Sequence, residues 1–267
     1  MDFFSNLIIN NMGAIMKLSK GILITQDGQK ISYEHTSNNH DRIIVIAHGF
    51  YNSKDASLLQ KLKNNLLDEY DVFMFDFRGH GKSGGLFSWT SNECKDLKAA
   101  LGYIEGKYKK TGMIAFSLGA SVAINVLARE KGVDSLICVS AASDPDKIDY
   151  NFWNLDLKGD LIYTLFTLDG LKGRGFRPGA FWRKKQKPID NIGKIIIPVC
   201  YIHGEKDWVV KPWHSKKLFE KTQTKKKIVI IKNGSHAEYL MKDSEEEFVH
   251  EIKSWLASTM LPNIMLK

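Results

Sequence analysis

Cysteine is scarce in this chain. Cys94, Cys138 and Cys200 stand far apart, with no C-x-x-C pair. That excludes a disulfide framework and a cysteine-type zinc site. Cys138 and Cys200 fall inside the apolar runs LICVS and PVCYI, where a thiol behaves as a small core hydrophobe. Such usage fits a reducing compartment, so the expected location is cytoplasmic. With 6 Pro and 21 Gly among 267 residues, and 43% hydrophobic residues, the composition is neither collagenous nor disordered. No run of about 18 apolar residues occurs, so the sequence offers no transmembrane segment. Helix-turn-helix, zinc-finger and RRM signatures are also missing. The formal charge of +8 comes from 38 Lys+Arg against 30 Asp+Glu. It is carried mainly by Lys in KYKK, RKKQK, HSKK and TKKK. Base readers rely on Arg, so these lysines read as a solvated surface and no nucleic-acid partner is expected.

What the chain does have is alternation. Apolar runs RIIVIAHGF, DVFMFDFRGHG, TGMIAFSLGA, SLICVS, IIIPVCYIHG and KIVIIKNGSH read as buried strands. Helical spacing falls between them at Ser53–Leu67, Ser121–Arg129 and about Ser244–Leu256. Thr90-x-x-Glu93 fits a capping box opening a helix through about Tyr103. Asp27-Gly28 between Ile22–Thr25 and Lys30–Tyr33 reads as a hairpin turn. Strands alternating with helices predict an α/β fold with a mainly parallel sheet.

Two stretches stand apart. In residues 1–20, Phe3, Phe4, Leu7, Ile8, Met12, Ile15 and Met16 have helical spacing. The segment begins with Asp2 rather than a basic region, so it does not read as a secretory signal. An amphipathic helix packed on its own domain or on a second subunit is expected. Its polar face is poor in Lys and Arg, which favours packing, though peripheral membrane contact stays open. Residues 144–194 lack a clear strand and carry many aromatics, among them Tyr150, Phe152, Trp153, Phe176, Phe181 and Trp182. They read as an inserted cap with one or two helices, such as Leu157–Leu168. Arg174, Arg177 and Arg183 read as solvated charge. The remaining chain divides into a core of residues 21–143 and 195–257 and a tail of 258–267.

The reactive residues sit at strand ends, where parallel sheets bind ligands. Ser117 stands in Ala115-Phe116-Ser117-Leu118-Gly119 between the strand GMIAF and the helix SVAINVLA. Small residues at −2 and +2 permit the tight turn of a G-x-S-x-G nucleophile elbow, with Ala115 in place of the first glycine. A serine needs a base, and the base an orienting carboxylate. His236 follows the last strand and Asp207 follows the one before it. Asp144 also follows a strand and is the alternative orienting acid. Oxyanion donors are expected from the Leu118 N–H, just after the serine, and from the Phe50 N–H after RIIVIAHGF.

From about residue 20 to 257 the chain resembles an α/β-hydrolase. The matching pieces are His48-Gly49-Phe50, the loop Asp76-Phe77-Arg78-Gly79-His80-Gly81-Lys82-Ser83, the elbow, Asp207 and His236. Small-capped esterases of the monoacylglycerol-lipase-like and cinnamoyl-esterase-like kinds are the members it is most similar to. The resemblance implies an eight-stranded sheet, a serine triad of Ser117, Asp207 and His236, and acyl-enzyme hydrolysis with no metal or organic cofactor. It implies a small-molecule ester with an apolar acyl or aryl part as substrate. The same triad would serve a thioesterase, an amidase or an acyltransferase, and a non-catalytic binding protein is the remaining alternative.

Gly79-His80-Gly81-Lys82-Ser83-Gly84 also matches G-x-G-x-x-G, and Gly81-Lys82-Ser83 mimics the end of a P-loop. Asp76 stands where a P-loop needs glycine, and no helix follows at once, so a structural loop is expected. His48, His80 and His203 read as structural; His35, His40, His214 and His250 read as surface residues.

Overall fold

The computed structural model describes residues 4–9, 15–148, 176–179 and 185–260. Among these residues nine strands form one sheet: β1 (Phe4–Ile9), β2 (Ile15–Ile24), β3 (Lys30–Ser37), β4 (Arg42–Ala47), β5 (Asp71–Phe75), β6 (Lys110–Phe116), β7 (Ser135–Val139), β8 (Val199–Gly204) and β9 (Lys226–Ile231). Their spatial order is β1-β2-β3-β5-β4-β6-β7-β8-β9. Neighbours from β5 through β9 pair in parallel, while β1, β2 and β3 run antiparallel to their neighbours. β2 to β9 are the eight strands expected; β1 adds a ninth.

Alternation along each central strand builds two cores. Ile43, Val45 and Ala47 of β4, with Met113 and Ala115 of β6, face a cluster completed by helices α2 (Glu93–Ile104), α3 (Leu118–Leu127) and α4 (Trp213–Lys221). Ile44, Ile46, Ile114 and Phe116 face the opposite cluster, covered by α1 (Ser57–Leu66) and α5 (Glu245–Met260). The strands are apolar throughout because both faces are covered. α5 runs on to Met260, whose buried side chain packs near Gly112 of β6, so the core extends past residue 257. The three cysteines are free and buried, and burial pushes the Cys94 and Cys200 thiols up to about 12. No described helix is long and apolar enough to cross a membrane.

Three expectations need correction. The N-terminal segment is not helical in its described part. β1 pairs antiparallel with β2, from Phe4 opposite Lys20 to Ile9 opposite Ile15. Short apolar runs fit helix and strand periods alike. Here pairing with the edge of β2 decides for the strand. Thr90 does not cap α2 either. It has φ +72, and Glu93 Oε1 accepts the Ser88 N–H at 2.7 Å while Ser88 Oγ accepts the Asn92 N–H at 3.0 Å. Ser88 thus exchanges hydrogen bonds with the helix start in the way expected of Thr90. Third, His214 is buried, with Nδ1 2.8 Å from Ser143 Oγ, and His35 is partly buried against Tyr108. His40 is also partly buried; His250 is exposed as expected. The cap helix Leu157–Leu168, most of the cap aromatics, Arg174 and Arg183 lie outside the described residues.

Candidate active site

Six loops leave the carboxyl ends of parallel strands along one edge of the sheet, and the candidate residues lie on them. β6 runs directly into Ser117, which has φ +46 and ψ −104. Such a backbone is strained for any residue with a Cβ. It is held by α3 and by the Ser117 N–H donating to the Val139 carbonyl at 2.8 Å. The tight turn brings α3 hard against the end of β4: a Cβ on Gly119 would lie 2.5 Å from the Ala47 oxygen and 2.7 Å from that of His48. Only glycine fits there. Ala115 is fully buried, and its methyl group packs in the core at −2.

Ser117 Oγ lies 3.1 Å from His236 Nε2, and His236 Nδ1 lies 2.8 Å from Asp207 Oδ2. Asp207 Oδ1 accepts the Val209 and Val210 N–H groups at 3.0 and 2.9 Å. Burial alone would raise the Asp207 carboxyl. The charge and hydrogen bonds of His236, with those of His203, outweigh it and hold Asp207 well below the usual carboxylate range. Asp144 is occupied elsewhere, accepting from Lys187 Nζ at 3.0 Å and from the Asp146 N–H at 3.0 Å. The three residues expected as a triad are therefore brought together, and Asp207 rather than Asp144 meets the imidazole.

The loop after β4 lies against the serine. Gly49 faces it closely enough that an added Cβ would be 3.5 Å from Ser117 Cβ. His48 fixes this peptide: Nδ1–H donates to the Gly49 oxygen at 2.7 Å, and Nε2 accepts the Phe77 N–H at 2.9 Å. Burial keeps His48 neutral, lowering it to about 4. Phe50 follows, its ring packed among His80, Phe87, Trp89 and Phe176. Leu118 is the first residue of α3, where helix geometry leaves the backbone N–H without an intrahelical acceptor.

The glycine-rich loop after β5 is structural. Asp76 accepts the Lys54 N–H at 2.7 Å and the Lys82 N–H at 2.9 Å. A phosphate cradle is thus filled by the chain's own carboxylate. Gly81, at φ +44, has no room for a Cβ beside that carboxylate. Arg78 forks between Asp96, at 2.7 Å, and Asp27, at 2.8 Å. Arg177, exposed as expected, also ties this loop down: its backbone N–H donates to the Gly79 oxygen at 2.8 Å, and its guanidinium reaches the Ser83 carbonyl.

Some residues here escaped the sequence reading. Ser140, at φ +50 after β7, accepts the Ala237 N–H at 2.9 Å and so steadies the loop of His236. Ala237 itself has φ +53. Glu238, buried two residues past His236, accepts from the Asn52 amide and joins that loop to the one carrying Phe50. His203 lies 3.2 Å from Asp207 Oδ2. Only the His203…Asp207 spacing, with both residues at one strand end, was a usable signal. Among the described residues no group of His, Cys, Asp and Glu is placed to hold a metal ion.

Comparison with known proteins agrees with this fold. Residues 38–165 match the family described as serine aminopeptidase, S33. The chain is 27% identical to the protein YqkD of Bacillus subtilis over 77% of its own length and 68% of that protein's. The esterase Pf2001 of Pyrococcus furiosus superposes with a TM-score of 0.73 at 23% identity, covering 91% of this chain and 93% of the other. The esterase RhEst1 of a Rhodococcus species gives 0.73 at 20% identity, covering 90% and 99%. By topology, strand-end placement and likeness to these structures, the chain has the α/β-hydrolase fold.

Proposed function

We propose that the protein is a serine hydrolase that cleaves carboxylic esters through an acyl-enzyme on Ser117. The observation that carries the reading is the continuous contact from Asp207 through His236 to a serine held at positive φ. His236 Nε2 takes the Ser117 proton as Oγ attacks the ester carbonyl, and Asp207, ionised, steadies the imidazolium. The Leu118 and Phe50 N–H groups receive the oxyanion. His236 then protonates the departing alcohol, and a water repeats the sequence on the acyl-enzyme. No metal or organic cofactor takes part. The half-buried rings of Trp89 and Phe176, packed on Phe50 next to Gly49, favour an apolar acyl or aryl group. The Pf2001 and RhEst1 likenesses, both to proteins named esterases, support the same choice. The buried free thiols support a cytoplasmic location.

The serine aminopeptidase description of the matching family favours one second reading, amide hydrolysis by the same three residues. A panel of p-nitrophenyl esters from acetate to palmitate, run beside the corresponding anilides and thioesters, separates the two. Ester turnover that disappears in Ser117→Ala is expected, with the chain-length optimum reporting pocket depth. Turnover confined to anilides would replace the ester reading with the amide one. Ester turnover persisting in Ser117→Ala would remove Ser117 as nucleophile.

A further inference from the structure

Asp207 Oδ2 is approached by two imidazoles, although a serine triad needs only one. His236 Nδ1 stands 2.8 Å away and His203 Nε2 3.2 Å away. The second ring is fully buried and held on every side. Its Nε2 also lies 2.6 Å from the Val210 carbonyl oxygen, and its Nδ1 lies 2.7 Å from Ser215 Oγ on α4. A nitrogen facing two oxygen acceptors carries the ring proton, so Nδ1 is the acceptor and the Ser215 hydroxyl donates into it. The Val210 peptide is consequently gripped at both ends. Its N–H donates to Asp207 Oδ1 at 2.9 Å, and its carbonyl accepts from His203. Asp207 thus sits in a turn whose geometry His203 closes.

We propose that His203 is a positioning residue for the hydrolytic site, acting through Asp207 on His236. The inference rests on the triad reading above. It assigns His203 two effects. The ring keeps Oδ2 aligned on His236 Nδ1, and its N–H withdraws part of the carboxylate charge from His236. Losing that N–H leaves Asp207 with more charge to spend on the His236 imidazolium, so the base becomes harder to deprotonate. Among the described residues, the other charged or titratable groups near these rings include His214 of α4, Asp144 beyond it, and Glu238 on the loop of His236. A change at position 203 leaves all three in place.

The test follows covalent modification of the full-length protein by a fluorophosphonate, a serine-directed reagent, from about pH 5 to about pH 9. The wild type is compared with Ser117→Ala, His203→Phe and His203→Gln, each checked for folding by thermal melting. The wild type should react and Ser117→Ala should not. His203→Phe should react about tenfold more slowly on the plateau. Its acid limb should move up by about half a unit. His203→Gln, whose amide reaches toward the same two oxygens, should recover most of the rate. A wild-type rate and profile in His203→Phe overturns the proposal and leaves the Ser117 reading standing. So does a lower plateau with an unmoved limb, the mark of a merely structural residue. A wild type that does not react overturns both. Should His203→Phe fail to fold, Ser215→Ala, which removes the hydroxyl fixing the ring, carries the test: its acid limb should rise, and an unchanged profile overturns the proposal.

Discussion

The two flanks of the sheet differ in pairing, exposure and what their loops carry. From β4 to β8 the strands pair in parallel, are covered on both faces, and are buried at nearly every position. On the other flank β2 pairs antiparallel on both sides and leaves Ile22 and Ile24 half exposed or more. The loops that end the parallel strands carry Gly49, Asp76, Ser117, Ser140 and Asp207, with His236 beyond β9; the antiparallel flank contributes a hairpin at Gly28. Positive-φ backbone mostly follows the same division, with Asn39 after β3 the exception. Ser117, Ser140 and Ala237 lie at the parallel edge, where dense packing can hold conformations that cost about 1–3 kcal/mol each. The flank tolerates looseness because no chemistry depends on it.

Substitutions should reproduce that contrast. Ser117→Ala is expected to lower ester turnover by about 10⁴-fold or more while leaving the melting temperature near that of the wild type. Loss of folding instead would make the residue structural. Acidification comes next. Burial holds neutral the imidazoles of His48, His80 and His214, lowering them to about 4, about 3 and about 4. In the unfolded chain each binds a proton near 6.5, so below that pH the unfolded state takes up more protons. Stability should therefore fall as the pH drops from about 6.5 to about 4, by about 3 kcal/mol for His48 alone at the lower end. Urea titrations across that range check it, and a flat stability would contradict the buried neutral rings.

Two glycines then sharpen the comparison. Gly119→Ala drives a Cβ into the β4 backbone and should cost about 2 kcal/mol. Gly28→Ala meets nothing within 4 Å and should cost only the left-handed backbone penalty of about 1 kcal/mol. Equal costs in denaturant would erase the distinction between packed edge and loose flank. Ile24→Thr, on the exposed face of β2, should change stability by less than about 0.5 kcal/mol and turnover not at all.

Legibility divides along the same line. The elbow could be read because its signals are local: an apolar strand, a serine, a glycine two residues on, and a helix. Asp207 and His236 were readable because each follows a strand-like run. Setting aside Asp144, the alternative to Asp207, needed the structure, since Lys187, which occupies Asp144, is 43 residues away in the chain. Ser140, Ala237 and Thr90 were opaque for a similar reason: their positive φ is imposed by distant contacts that propensity does not register. β1 is not legible in the sequence because a strand's period competes with a helix's over six residues, and its partner edge decides. His214 reads as a surface residue in the sequence because burial beneath Ser143 leaves no pattern around it.

The central claim is that Ser117 becomes acylated. Mass spectrometry of the protein mixed briefly with p-nitrophenyl acetate at low temperature, then quenched in acid and digested, tests it most directly. An acetyl group on the peptide containing Ser117, absent from Ser117→Ala and disappearing with time in the wild type, is the expected result. Ester turnover with the acetyl group on another residue, or with no adduct under conditions where an acyl-enzyme would accumulate, would contradict it.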